Sequence, residues 1–218
     1  MKFWLFSKVQ FKVSDPVALI ESYCFQSNFF KNYDLLLINN KGRKITDVNK
    51  IGARINRSLF KKCKRIISDA NNLCIFKDDL DVFLKNSNAR REKNIRELND
   101  KVVKKLLKIP GMGLSKATKV LHTLYPNIIP MLDDPLQMKY QIWNPSWTVK
   151  KADEILISYY ENMEKGGNLK NLNRIYNKID ENLKCLTKVR MFDILWWSYL
   201  KAESLKQENK NIKWTTIK

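Results

Sequence analysis

The chain has 218 residues, of which 44% are hydrophobic, and its 41 Lys or Arg against 22 Asp or Glu give a formal net charge of +19. A chain of this length and apolar content can form a hydrophobic core without disulfide or metal cross-links. The positive charge indicates a polyanionic partner, although an AT-rich coding sequence would also enrich Lys, Asn and Ile. The sequence contains no low-complexity tract, solenoid repeat, phosphate-binding P-loop, serine nucleophile elbow or zinc motif, which argues against those classes of protein.

The amino terminus and the hydropathy of the chain argue against a membrane protein. The short, largely apolar run Met1–Phe6 is followed by Lys8, Gln10 and Lys12, too early for the core of a signal peptide. No stretch approaches the roughly 20 apolar residues that span a bilayer. We therefore expect a cytoplasmic protein with no membrane partner.

The cysteines predict neither a metal site nor a disulfide framework. They are scattered, with no C-x-x-C pair and no nearby histidine to complete a metal site. We predict that all four are reduced core residues: Cys24, Cys63, Cys74 and Cys185.

The first predicted elements are a strand and a helix. Apolar and polar residues alternate loosely from Trp4 to Val13, which indicates a short strand or extended arm. Asp15 and Pro16 then form an N-cap and a first helical position, and apolar residues continue as a helix to Cys24. A turn around Gly42 follows.

The remaining pattern is helical. Thr46 is a predicted helix cap, and Leu59 to Ile67 carries apolar residues at helical spacing. Thr148 caps a predicted helix that Gly166 and Gly167 end, and Thr187 starts a last helix. We therefore expect a mainly α protein with a single helical domain over residues 1–218, whose carboxy-terminal helical part is 148–206.

The most basic region contains a hairpin of two helices over about residues 101–121. Residues 86–119 hold ten Lys or Arg against three acidic residues. Pro110 stops the first helix, and Gly111 and Gly113 permit backbone torsions and close approaches that larger residues forbid. The free amides at the start of the second helix are suited to a phosphate oxygen. The predicted nucleic-acid contacts are Gly111, Met112, Gly113, Ser115, Lys116, Lys119, Lys105 and Lys108.

This hairpin resembles the helix-hairpin-helix of the DNA glycosylase superfamily that includes endonuclease III and 8-oxoguanine glycosylase. The matching pattern is Leu-x-x-Ile-Pro-Gly-Met-Gly-x-x-Lys-Ala-x-x-Val-Leu, starting at Leu106, and the similar segment covers residues 102–140. The chain also resembles uncharacterised bacterial proteins that pair such a hairpin with an I-P-x-x-D loop. The resemblance implies two helical lobes flanking a cleft, double-stranded DNA as the partner, and a nucleoid-associated location when bound.

The resemblance also implies a catalytic aspartate. Asp133 follows Gly113 by 20 residues, as the superfamily's catalytic carboxylate does. A carboxylate there can stabilise the positive charge that develops on the sugar when an N-glycosidic bond breaks, or activate the attacking water. The alternative role for an aspartate here is helix capping, which we assign to Asp134 before Pro135.

Other glycosylase features are less well matched. Lys104 corresponds in position to the lysine that forms a Schiff base in the 8-oxoguanine enzymes, but a solvated helix face is the alternative, because four lysines lie between Lys101 and Lys108. Cys185 is the only cysteine after Gly113, so the resemblance implies no iron-sulfur cluster and no cofactor beyond a monovalent cation at the hairpin.

Aromatic residues and the single histidine complete the candidates. Tyr140, Trp143 and Trp147 follow Asp133 and could line a pocket for a flipped base. Tryptophans are more often core residues, as we expect for Trp196 and Trp197. His122 has no evident partner, which favours a structural or surface role over that of a general base.

Two further functions stay open at this point. One is a non-catalytic DNA-binding module or a subunit of a nucleic-acid complex. The other is an RNA-binding protein, since charge alone does not distinguish RNA from DNA. The sequence does not indicate the oligomeric state.

Overall fold

The chain begins with a β-hairpin that is docked on helices. The structure, a computed structural model, describes residues 1–5, 9–26, 57–132 and 145–211. Strands β1 (Lys2–Leu5) and β2 (Val9–Lys12) pair antiparallel with Phe3 opposite Phe11. Phe3 is completely buried, and the side-chain amide of Asn171 donates to the carbonyl of Lys2 at 2.8 Å. The predicted amino-terminal strand is therefore present, as two short paired strands.

The rest of the described chain is mainly α-helical, which confirms the predicted class. The helices in the first half are α1 (Pro16–Gln26), α2 (Arg57–Ser68), α3 (Leu80–Lys85), α4 (Asn88–Leu98), α5 (Lys104–Leu107) and α6 (Leu114–Leu124). The helices in the second half are α7 (Pro145–Lys165), α8 (Asn168–Tyr176) and α9 (Lys188–Asn211). A π-helical turn, Asn99–Val103, joins α4 to α5.

Several helix boundaries follow from local capping. The carboxylate of Asp15 accepts a hydrogen bond from the backbone N–H of Ala18 at 3.0 Å, and the hydroxyl of Thr187 accepts one from Arg190 at 3.1 Å, so both predicted caps are confirmed. Gly167, with φ +70°, separates α7 from α8 as expected. The prediction for Thr148 is wrong, because α7 already begins at Pro145, whose ring favours the first helical turn.

Helix α7 lies at the centre of the fold. It packs against α4, the π-helical turn, α6, α8 and β1, while α9 packs against α1 and α8. The buried apolar residues of these elements form one continuous core that extends from Phe3 to Trp196. The expectation of a core position is confirmed for Trp196, whose exposed fraction is 1%, whereas Trp197 is only half-buried.

The cysteines divide into buried and accessible residues. Cys24 and Cys63 are buried, and burial raises the pKa of the Cys63 thiol to about 11, so this thiol stays protonated at neutral pH. Cys74 is exposed and Cys185 is half-buried, so the prediction of a core position is wrong for these two. Cys74 begins a short 3₁₀ turn in which the next residue, Ile75, is the buried one.

Two predicted features fall in a part of the chain that the structure does not describe. The turn at Gly42 and the cap Thr46 lie outside the described residues. Among the helices that the structure describes, none is both long and apolar enough to cross a bilayer.

Candidate nucleic-acid interface and the segment before Asp133

The turn between α5 and α6 is tight and has two different sides. The backbone N–H of Ile109 donates to Leu106 and that of Met112 donates to Ile109, each at 3.0 Å. Gly111 has φ +76°, a conformation that favours glycine. The side chain of Met112 is buried in the core, at 6% exposed, whereas Gly111 and Gly113 are exposed. The turn thus has an apolar anchor on one side and bare backbone on the other.

Gly113, unlike Gly111, does not have a backbone conformation that favours glycine. Its φ of −100° and ψ of 173° are ordinary extended values that any residue adopts at a helix N-cap. A Cβ on Gly113 would meet nothing within 4 Å. Nothing in the described part of the chain therefore requires a glycine at this position, and close approach by a molecule bound to the outside is a physical reason for having one.

The start of α6 has the features of an anion site. Gly113 occupies the N-cap position, and no described side chain caps this helix. The amides of a first helical turn lack acceptors within the helix, and the helix dipole adds positive potential there. Oxygen atoms of a phosphate group are suitable acceptors for these amides.

The predicted lysines of the hairpin are placed differently from one another. Lys105 and Lys108 are exposed, and neither has an ion pair with a described residue. The ammonium of Lys116 donates to the carbonyl of Gly111 at 2.8 Å, where it braces the turn. Ser115 is half-buried. Lys105 and Lys108 are therefore the hairpin lysines that can approach a polyanion without first losing an acidic neighbour.

Lys119, which the sequence predicts to contact nucleic acid, is buried. Its exposed fraction is 8%, on a helix that packs against α5, the π-helical turn and α7. The side chain of Met112, another predicted contact residue, is likewise buried, at 6% exposed. The helical spacing that identified the hairpin does not reveal how much of α6 its neighbours cover.

The geometry around Lys104 disfavours a role as a nucleophile. Its ammonium donates to the carboxylate of Asp100 at 2.5 Å, and this hydrogen bond, followed by the charges of Asp100 and Asp153, raises the pKa of Lys104. A Schiff base requires a neutral amine, which a lowered pKa would favour. The side chain of Lys104 is 43% exposed, which fits the alternative interpretation that it belongs to a solvated helix face.

A buried backbone segment leads directly into Asp133. We call residues Ile128–Leu132 the anchored segment, because side chains from three helices hold its backbone. From α6, the hydroxyl of Thr118 accepts a hydrogen bond from the N–H of Leu132 at 3.1 Å. The ring nitrogen Nδ1 of His122, also on α6, lies 2.6 Å from the carbonyl oxygen of Ile129 and donates to it.

Helices α7 and α9 hold the same segment from the other side. The hydroxyl of Tyr160, on α7, donates to the carbonyl of Ile128 at 2.5 Å. The carboxylate of Asp193, on α9, accepts from the N–H of Met131 at 3.0 Å and from the hydroxyl of Tyr159 at 3.4 Å. Burial, followed by the charge of Asp193, raises the pKa of Tyr159 well above its usual value, so this phenol remains a hydrogen-bond donor.

His122 has a structural role, as the sequence favoured. It is 1% exposed, and burial lowers its pKa to about 3 despite the hydrogen bond to Ile129. The ring is therefore neutral at physiological pH, and Nδ1 carries the proton that is donated to the carbonyl. A proton acceptor that is buried in this way cannot exchange protons with a substrate.

Asp193 was not among the predicted site residues. Its signal in the sequence was its position within the apolar and aromatic run Met191–Trp197. A buried carboxylate requires hydrogen-bond partners, so an acid in such a run predicts a buried polar contact. The sequence does not show that this contact is with a backbone amide 62 residues earlier.

The remaining predicted site residues are not described by the structure. Asp133, Asp134, Tyr140 and Trp143 lie outside the described residues, and Trp147 lies on α7 with a side chain that is outside them too. Within the described ranges, no group of three or more His, Cys, Asp or Glu side chains could hold a metal ion. The structure thus brings together the side chains that hold the segment leading into Asp133, and the position of Asp133 itself stays a prediction.

Comparisons with known proteins identify no family for this chain. No protein-family model, curated protein or solved structure matches it. Its function is therefore inferred from the residues described above.

Proposed function

We propose that this protein is a DNA base-excision glycosylase of the helix-hairpin-helix type, with double-stranded DNA bound at the hairpin and Asp133 as the catalytic carboxylate. In this proposal two helical lobes flank a cleft that receives a base flipped out of the duplex. The carboxylate stabilises the positive charge on the sugar as the N-glycosidic bond breaks, and a water molecule completes the hydrolysis.

The observation that carries the proposal is the anchored segment. Four buried side chains hold its backbone, and its last residue, Leu132, is bonded covalently to Asp133. A catalytic carboxylate must be held within a fraction of an ångström of its working position, which calls for such support from behind. A hairpin that only binds DNA needs no comparable framework roughly 15 to 20 residues beyond its turn.

The hairpin supports the DNA-binding half of the proposal. At the start of α6 no described side chain caps the helix, Gly113 leaves open space, and Lys105 and Lys108 have no ion pair with a described residue. These features suit a DNA phosphate group. Such contacts position the protein on the duplex and carry no sequence information. Recognition of a particular base would then depend on the cleft.

A second candidate function keeps DNA binding and omits catalysis. The ion pair of Lys104 with Asp100 and its raised pKa argue against a lyase step, which a binding module does not need. A binding module would use the hairpin in the same way, and the anchored segment would then serve only to fill the core between α6, α7 and α9.

A single-turnover base-release assay tests the proposal on duplexes that contain uracil, 8-oxoguanine, alkylated bases or mismatches. We expect Asp133→Asn to abolish release and to leave duplex affinity unchanged. Asp134→Asn is the matched control, because Asn caps a helix about as well as Asp, and it should retain release. No release from any substrate by the wild-type chain, with duplex binding intact, would support the non-catalytic alternative.

A further inference from the structure

Helix α2 has one exposed face on which every charged residue is basic. Its sequence, Arg57–Ser68, contains no acidic residue. Leu59, Phe60, Cys63, Ile66 and Ile67 point toward the core, either buried or partly buried. The exposed charged residues on the opposite side are Lys61, Lys62, Lys64 and Arg65.

These four cations have no acidic partner among the described residues. On the helices before the hairpin turn, by contrast, Arg96 pairs with Asp153 at 3.1 Å, and Lys101 with Glu97 at 2.5 Å. Arg91 is buried and donates to the carbonyls of Leu84 and Asn86. Much of the positive charge in residues 86–119 is thus already neutralised or buried, whereas the charge on α2 remains available.

Helix α2 lies beside the first helix of the hairpin. It packs against α5, the short helix that carries the exposed Lys105 and leads to Lys108. A helix of 12 residues is about 18 Å long, and that length of duplex carries roughly ten phosphate charges. Several cations on α2 can therefore meet phosphates beside those that contact the hairpin.

We propose that the exposed face of α2 is a second contact surface for the phosphate backbone of duplex DNA, next to the hairpin. The proposal rests on the proposed function for the identity of its partner and does not depend on catalysis. Acidic lipid is a poorer match, because the apolar side of α2 is covered by the core and cannot insert into a membrane surface.

The test compares two triple variants of the full chain that remove the same charge. The α2 variant is Lys61→Gln/Lys62→Gln/Arg65→Gln, and it spares Lys64, whose ammonium lies 5.8 Å from the centre of the Phe60 ring. The control variant is Lys170→Gln/Arg174→Gln/Lys178→Gln, which changes exposed residues on and after α8. Affinity for an undamaged duplex is measured by fluorescence anisotropy over a range of salt concentrations.

We expect the α2 variant to bind more weakly and the control variant to bind as the wild type does. The slope of log affinity against log salt is negative, and its magnitude should fall by about 0.9 for each phosphate that α2 no longer neutralises, or by about 2.7 if all three cations bind phosphates. Thermal unfolding of both variants should match the wild type, since none of the six side chains has a described ion pair.

Other outcomes would overturn the proposal. Equal weakening by both variants would mean that only net charge matters, and binding that is unchanged in the α2 variant would mean that α2 does not touch the duplex. Stronger α2-dependent binding to structured RNA or to vesicles of anionic lipid than to the duplex would assign the face to that partner. Failure of base release, with α2-dependent duplex binding retained, would refute only the proposed chemistry.

Discussion

The carboxylate of Asp193 accepts a hydrogen bond from the backbone N–H of Met131, 62 residues earlier in the chain, at a distance of 3.0 Å. Both groups are buried, so neither can exchange its partner for water. This contact ties the last helix to the segment that ends one residue before Asp133. It explains why an acid lies between aromatic residues on an otherwise apolar stretch of α9.

Replacing Asp193 should therefore lower stability strongly. Asp193→Ala removes the acceptor for the buried N–H of Met131, and a buried donor left without a partner costs about 1–3 kcal/mol. The hydroxyl of Tyr159 loses one acceptor but keeps the carbonyl of Val189 at 3.4 Å. We expect a loss of about 1–3 kcal/mol in the free energy of unfolding, measured by urea denaturation. Asp193→Asn keeps one acceptor oxygen and should lose less. Glu154→Gln, at an exposed position of α7, is the control, and an equally small change in Asp193→Ala would contradict the assignment.

His122 predicts a pH dependence of stability. Its pKa is about 3 in the folded protein, below the value of about 6.5 expected after unfolding, so the unfolded chain binds a proton first as pH falls. The stability that the neutral ring contributes is complete above about pH 6.5 and decreases toward about pH 3, by at most about 1.4 kcal/mol per pH unit. We expect His122→Gln to lose this component of the slope between about pH 7 and about pH 4.

The measurement is urea denaturation of both proteins at several pH values. Because His122 is the only histidine, its ring resonance also reports its protonation directly by NMR. Parallel stability curves for the two proteins, or a ring that titrates near its ordinary pKa in the folded state, would contradict the buried position of the ring.

A substitution at Gly113 should affect DNA binding without lowering the stability of the fold. Its backbone has N-cap geometry, so Gly113→Asp should cap α6 and leave the free energy of unfolding unchanged or higher. The new carboxylate would occupy the amides proposed to hold a phosphate group. Hydrogen bonds to charged groups contribute about 1.5–3 kcal/mol, so duplex affinity should decrease about tenfold or more.

The control for this substitution is Gly167→Asp. Gly167 also precedes a helix, and the change in charge is the same, but its φ of +70° strains a residue with a side chain. We expect this variant to lose some stability and to keep its duplex affinity. If both variants bound DNA equally well, the start of α6 would not be a phosphate site.

Lys104 should not form a covalent adduct with DNA. Its hydrogen bond to Asp100 raises its pKa and so favours the protonated form, whereas attack on a sugar carbon requires the neutral amine. We expect borohydride to trap no adduct with the wild-type chain and Lys104→Gln to release bases at the wild-type rate. A trapped adduct that disappears in Lys104→Gln would instead establish a lyase step.

The local features of this protein were predictable from its sequence. The caps at Asp15 and Thr187 and the break at Gly167 were predicted correctly, since each depends on atoms within a few residues along the chain. The hairpin turn is of the same kind, because Gly111 needs its positive φ whatever surrounds it. Thr148 was the exception, since a second start signal, Pro145, preceded it.

Only the tertiary structure decided which side chains are covered and which groups meet across the chain. Lys119 and Lys105 look equivalent in the sequence, yet the tertiary structure buries the first and leaves the second exposed. The contact of Asp193 with Met131 joins groups 62 residues apart, and no local periodicity encodes such a pair. Burial and long-range pairing depend on how helices pack together, whereas caps and turns depend on the chain's own neighbouring residues.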